Sequence, residues 1–416
     1  MQRTLRDIVD MGSDPAQEGH LYEDMRRLRQ GFGPDLLRNV TVASPDKARA
    51  RAQEAIGVAL AALFDVRQVA DGDPGHGPGH WMRDYVHSLL LGHDDVTFTP
   101  VEILVGMVAG TLHDIGTLIV PRYKEKDRAV RHAEVGALAV RAAVLEAGVM
   151  NEYEADALAW AIAAHTHYPG QDQVMCRDGV RRVVEPYADE FNGWPFQFVW
   201  FPRWVDRLDC SGPCLVGRHF LTLKGDHEDY GGSEVGHYKV SFGTHLEPLF
   251  RTFEEIKRQG RGQHMTEHLR MFAESQTNQS MYGRFDRGRM VERRDANRAA
   301  LLRILARIER PDEGLDQETV LTAWESFLGN TIEPSNAGQQ TARELCVAFR
   351  QLPQATRCAW ISGFLATMQE YLAYAPRLLA VLDDYPSARL PLPGFPQDIR
   401  ACMTPQPAWA DLLQGM

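Results

Sequence analysis

The sequence predicts an all-α protein, and three observations carry that expectation. Apolar residues recur at helical spacing of three and four along most of the chain. Capping signals stand where helices should begin: Ser44-Pro45, Thr99-Pro100-Val101-Glu102 and Asn151 with Glu154 three residues on. Strand-like alternation is confined to short runs such as His237-Tyr-Lys-Val-Ser-Phe242.

Taken in order, Ser44-Pro45 opens an Ala-rich helix running to about Phe64, and a Gly- and Pro-rich loop covers residues 71–79. A short helix holds Trp81 to Leu91 and stops at Gly92. The capping box at Thr99 opens a largely apolar, hence buried, helix from Val101 to Asp114. A helix from about Arg131 to Ala147 ends at Gly148, and one capped by Asn151 reaches His165. Residues 171–193 read as a polar loop, and Pro195–Leu208 as an aromatic-rich segment interrupted by Pro202. Residues 217–244 are Gly- and His-rich and read as a hairpin or ordered loop. Helical periodicity then returns at about 246–258, 265–274, 296–308, 318–327, 341–352 and 355–382, and the Pro-rich tail from 386 onward reads as irregular. No internal repeat is visible. The expected organisation is an N-terminal extension (1–43), a central domain (44–220) and a C-terminal helical region (245–416).

The chain has 416 residues, 44% apolar and 24% charged, ordinary for a soluble globular protein. Its formal net charge of −11 disfavours nonspecific nucleic-acid binding, although local basic patches remain open. The first residues lack the apolar run of a secretory signal, and no stretch of about 18 apolar residues suggests a membrane span. The six cysteines include no Cys-x-x-Cys pair, which fits reduced thiols and a cytoplasmic protein.

Chemistry concentrates in a set of His and Asp residues: His87, the His113-Asp114 doublet, His132, His165 with His167, and Asp206 in Trp204-Val-Asp206-Arg-Leu-Asp209. An aspartate ending a buried apolar helix must be paired or bound to a metal. Several helices each giving one or two ligands is how bundles build internal metal sites. A lone helical histidine is more often a packed residue, and His93-Asp94 and Asp226-His227 read as chance pairs. The order and context of the first set are what single it out.

That order resembles the HD superfamily of metal-dependent phosphohydrolases. Gly110-Thr-Leu-His113-Asp114-Ile-Gly116 looks like its signature, His87 matches its first histidine and Asp206 its final aspartate. His132 and His165 resemble the additional histidines of two-metal members. The resemblance spans about residues 80–215. It implies that His87, His113, Asp114 and Asp206 hold one ion and that Asp114 bridges to a second held by His132 and His165, with His167 a weaker candidate. It implies one or two divalent ions, Fe or Mn foremost, with Ni, Zn, Co and Mg also admitted. It implies a helical HD bundle that hydrolyses a phosphate mono- or diester of a nucleotide or related small molecule. The chain departs from the cyclic-dinucleotide branch. Thr117 stands where that branch has Lys, Thr166 separates the two histidines that are adjacent there, and Tyr168-Pro169-Gly170 only faintly echoes its Gly-Tyr-Pro.

Asp114 is the expected catalytic centre, with Arg122 and Lys124 as candidate catalytic cations and Arg83 and Arg131 as candidate substrate-binding ones. Asp209 reads as a partner of a ligand histidine or as a surface acid. Trp81, Trp194, Trp200 and Trp204 read as core, with base stacking as the alternative. Two further functions are compatible with the ligand order: a di-iron oxygenase of HD type, and an inactive HD scaffold. The run Leu301-Leu302-Ile304-Leu305-Ile308 reads as core or as a homodimer face.

Overall fold

The structure, a computed structural model, describes residues 3–14, 16–33, 37–38, 40–66, 75–94, 98–120, 128–165, 173–175, 181–183, 198–229, 266, 269–270, 272–273, 288–385 and 399–414. Its helices are α1 (Leu5–Ser13), α2 (Glu18–Gly31), α3 (Pro45–Val66), α4 (Pro78–Asp94), α5 (Pro100–Leu112), α6 (Arg128–Glu146), α7 (Glu152–Ala164), α8 (Phe201–Asp209) and α9 (Cys214–Asp229). They continue with α10 (Gly288–Glu309), α11 (Gln317–Phe327), α12 (Asn336–Arg350), α13 (Gln354–Asp383), α14 (Ile399–Met403) and α15 (Pro407–Gln414). The fold class is all-α. Among the described residues the one sheet is a two-stranded antiparallel ribbon, β1 (Gln173–Met175) and β2 (Arg181–Val183), with Val174 opposite Arg182. It lies within the stretch expected to be loop.

The central element is α5. Thr99 accepts from the Glu102 backbone N–H, and Glu102 accepts from the Thr99 N–H, the reciprocal cap expected from the sequence. Every residue of α5 from Val101 to Leu112 is buried, packed between α3, α4, α7 and α8. Against the expectation of no such stretch, the run Pro100–Leu118 is as long and apolar as a membrane span, and its most apolar window lies wholly inside the protein. Asn151 and Glu154 form the same reciprocal cap at α7. Gly148 takes φ +69° just past α6, where a residue with a Cβ would be strained.

Several expectations change. Helix α4 begins at Pro78, three residues before the expected Trp81, because Pro78 pre-sets the first turn; residue 80 therefore belongs to a helix and not to the loop. It runs through Gly92, which packs on Met107, to Asp94. Pro202 stands in the first turn of α8 and opens that helix instead of interrupting it. Cys214–Asp229 is helical where a hairpin or loop was expected from 217; the run His237–Phe242 lies outside the described residues. The tail contains α14 and α15, with Trp409 buried.

The N-terminal helices are part of the same packing: the Leu5 N–H donates to Glu146 at the end of α6, and Gly12 sits against Ile119 and Val135. Leu301, Ile304, Leu305 and Ile308 are buried in the core, as are Trp81 and Trp204. Trp194 lies outside the described residues.

Candidate metal centre

Five helices deliver polar side chains to one buried point. Asp114 follows α5, and its two carboxylate oxygens face opposite ways. Oδ1 lies 3.0 Å from His132 Nε2, on α6, and 3.2 Å from His165 Nε2, at the end of α7. Oδ2 lies 3.3 Å from His80 Nε2, on α4, and 3.5 Å from His113 Nε2. Asp206, on α8, adds Oδ1 at 3.7 Å from His80 Nε2 and 3.9 Å from His113 Nε2.

Three of the four rings are held by their other nitrogen. His113 Nδ1 is 2.9 Å from the Gly110 carbonyl, His165 Nδ1 2.6 Å from the Ile162 carbonyl, and His80 Nδ1 2.7 Å from Asp209 Oδ2. An acceptor at each Nδ1 places the ring proton there and turns an Nε2 lone pair to the centre. On the Oδ2 side, the two Nε2 atoms face two carboxylate oxygens, and neither makes a hydrogen bond. Such a buried arrangement is costly unless a proton or a metal ion sits among the nitrogens and the carboxylates. On the Oδ1 side, His132 and His165 Nε2 are 3.3 Å apart, so only a proton on His132 separates the two nitrogens. The donor set fits a metal on both sides of Asp114, and His80/His113/Asp114 and Asp114/His132/His165 are groups whose ligand atoms lie close enough to hold an ion.

The carboxylates around His113 demand positive charge. Burial pulls the His113 pKa down, but Asp114, then Asp84 and Asp206, outweigh it and hold it at about 9, so without a metal ion its Nε2 carries a proton in the place a metal would take. Burial opposes ionisation of Asp114, yet His113, His132 and His165 keep it well below the usual carboxylate range. His165 is pushed down to about 4 by burial, so it stays a neutral donor. Exposure rises from His80 and His113, at 1% and 0%, to His132 at 9% and Asp206 at 14%, so the site opens on the His132–Asp206 side.

Behind His80, Asp209 is fully buried and held by Arg83, Nε to Oδ1 at 2.6 Å and Nη2 to Oδ2 at 3.1 Å, and by Arg218 Nη1 at 3.2 Å. Asp209 thus orients the His80 ring and is not a surface acid. Burial works against its charge, but Arg83 and His80 keep it well below the usual range.

Two expected assignments change. His87 is not in this group: it lies seven residues further along α4, and its Nε2 is 2.9 Å from the Tyr374 hydroxyl. His80 occupies the place foreseen for it. Arg83, expected to meet substrate, is 1% exposed and consumed by Asp209. Arg122, Lys124 and His167 lie outside the described residues, as does the side chain of Arg131. Asp84, one turn after His80, was not singled out. Its Oδ2 is 2.9 Å from His80 Nε2, neither oxygen receives a hydrogen bond, and burial raises its pKa to about 6 against the pull of His80. The signal that could have found both residues is the spacing His80-x-x-x-Asp84 on a helix opened by Pro78.

No protein-family model, no curated protein and no solved structure matches the chain.

Proposed function

We propose that this protein is a metal-dependent phosphohydrolase of HD type, acting on a small phosphate mono- or diester such as a nucleotide. The observation that carries the reading is Asp114, a buried carboxylate with a pair of imidazoles at each oxygen. In this reading His80, His113, Asp114 and Asp206 hold one divalent ion, and Asp114, His132 and His165 hold the other. Such ions, when bound, supply an acidified water and positive charge for phosphoryl oxygens. The protein's own part is to fix the rings. The Gly110 and Ile162 carbonyls and Asp209 hold His113, His165 and His80 in one tautomer and one orientation. Substrate approaches from the His132–Asp206 side, where the exposure lies. The net charge of −11 favours a small substrate over a long polyanion.

The test is hydrolysis of bis- and mono-p-nitrophenyl phosphate by protein loaded with Mn²⁺ or Fe²⁺. Activity that disappears with chelator and with Asp114→Asn supports the reading. Metal-loaded protein that turns over neither ester, nor any of a panel of nucleotides, contradicts it.

A further inference from the structure

Between α11 and α12 the chain makes a π-helical turn, Leu328–Ile332, one residue wider per turn than the helix before it. This turn reaches the back of the metal centre by three contacts. The Thr331 carbonyl accepts from Arg83 Nη1 at 3.2 Å. The Ile332 carbonyl is so close to Gly79, the residue before His80, that a Cβ there would lie 1.8 Å from it. The Ile332 side chain packs on Gly217, the residue before Arg218, where a Cβ would lie 2.6 Å from Cγ1. Arg83 and Arg218 are the two guanidiniums that grip Asp209, and Asp209 holds His80 Nδ1. One turn in the C-terminal region thus touches one arm of the clamp, Arg83, and the residue before the other, Arg218. Thr331, Arg83 and Arg218 are all buried, so water does not loosen the chain of contacts.

We infer that the 328–332 turn is a positioning element of the metal centre, acting through Arg83 and Asp209 to fix His80 and so to set the affinity of the ion on the Asp114 Oδ2 side. This rests on the metal-site reading above. The turn is held from its far side by Gly338, where a Cβ would lie 2.2 Å from Glu333 Cγ and 2.5 Å from its carbonyl. Gly338→Ala therefore shifts the turn without touching any residue of the site.

The test titrates Co²⁺ into the full chain and follows its visible absorption, which reports each ion's ligand field separately from any activity. Asp209→Asn and Arg83→Met are each expected to weaken one of two bound ions by about 10- to 100-fold and to leave the other unchanged. Gly338→Ala should weaken the same ion, and adding it to Arg83→Met should cost less than the sum of the two, because both act on the hold over Asp209 and His80. Arg83→Lys, which keeps charge but not the fork, should recover part of the loss and serves if Gly338→Ala does not fold. Full additivity, equal loss of both ions, or unchanged affinity in folded variants overturns the inference while leaving the metal reading intact. Failure of the wild-type chain to take up Co²⁺ is instead failure of that reading, and the inference falls with it.

Discussion

His80 and His87 share a helix and differ in one respect that decides their roles, the partner of the second ring nitrogen. His80 gives Nδ1 to an ionised carboxylate and turns Nε2 into the Asp114–Asp206 cleft, whereas His87 gives Nε2 to a tyrosine hydroxyl. His80→Ala is therefore expected to cost at least about tenfold in Mn²⁺ affinity, and His87→Gln to leave it within about twofold, by calorimetric titration. Equal losses would return His87 to the ligand set. His87 has a second measurable consequence. Burial, helped by Arg293, pushes its pKa down to about 3. The unfolded chain takes up a proton near pH 6.5 and the folded one does not. Its contribution is fully present above pH 6.5 and is lost as pH falls from there toward 3. At pH 5 the wild type should have lost about 2 kcal/mol that His87→Gln keeps, measured as the difference in their denaturation midpoints between pH 7.5 and 5. Parallel pH profiles would show that His87 does not stay neutral.

At the scale of the element, two of the candidate ligands stand at helix ends. His113 caps α5 and His165 caps α7, each with Nδ1 facing the carbonyl three residues back, so the end of the helix orients its own ligand. His132 depends on a tight crossing instead: a Cβ on Gly116 would lie 1.9 Å from the His132 carbonyl and 2.8 Å from the Gly136 nitrogen. Gly116→Ala should push α6 away, costing about 1–3 kcal/mol and lowering affinity for the ion on the Oδ1 side first. A chelator-treated variant as stable as wild type would contradict this. The capping boxes at Thr99 and Asn151 were readable because cap chemistry is local, and with them His113, Asp114 and His165. His80 was not, because the glycines around it read as loop and Pro78 was taken as part of that loop. The helical stretch 217–229 was hidden by the Gly- and His-rich composition of 217–244, which reads as hairpin or loop; Gly217 is the point where Ile332 presses in. Arg83 and Asp209 could not be joined from sequence, since 126 positions separate them.

Across the whole molecule, the buried apolar residues form one cluster from Leu5 to Trp409. The C-terminal helices belong to the surroundings of the candidate metal centre. Asn297 on α10 donates to the Leu208 carbonyl at the end of the helix bearing Asp206, Thr331 meets Arg83, and Tyr374 on α13 meets His87. These partners lie 89 to 287 residues apart, which is why no periodicity revealed them. Ions bound only by the folded chain stabilise it by mass action, so excess Mn²⁺ should raise the melting temperature and chelator should lower it. A melting temperature indifferent to both would mean that the buried acceptors are satisfied without metal. The central claim is that Asp114 joins two cation positions. It is tested most directly by counting the Co²⁺ ions bound per chain in the wild type and in Asp114→Ala. The account predicts two in the wild type and loss of tight binding at both positions in the variant. One or no ion in the wild type, or uptake that survives the substitution, would contradict it.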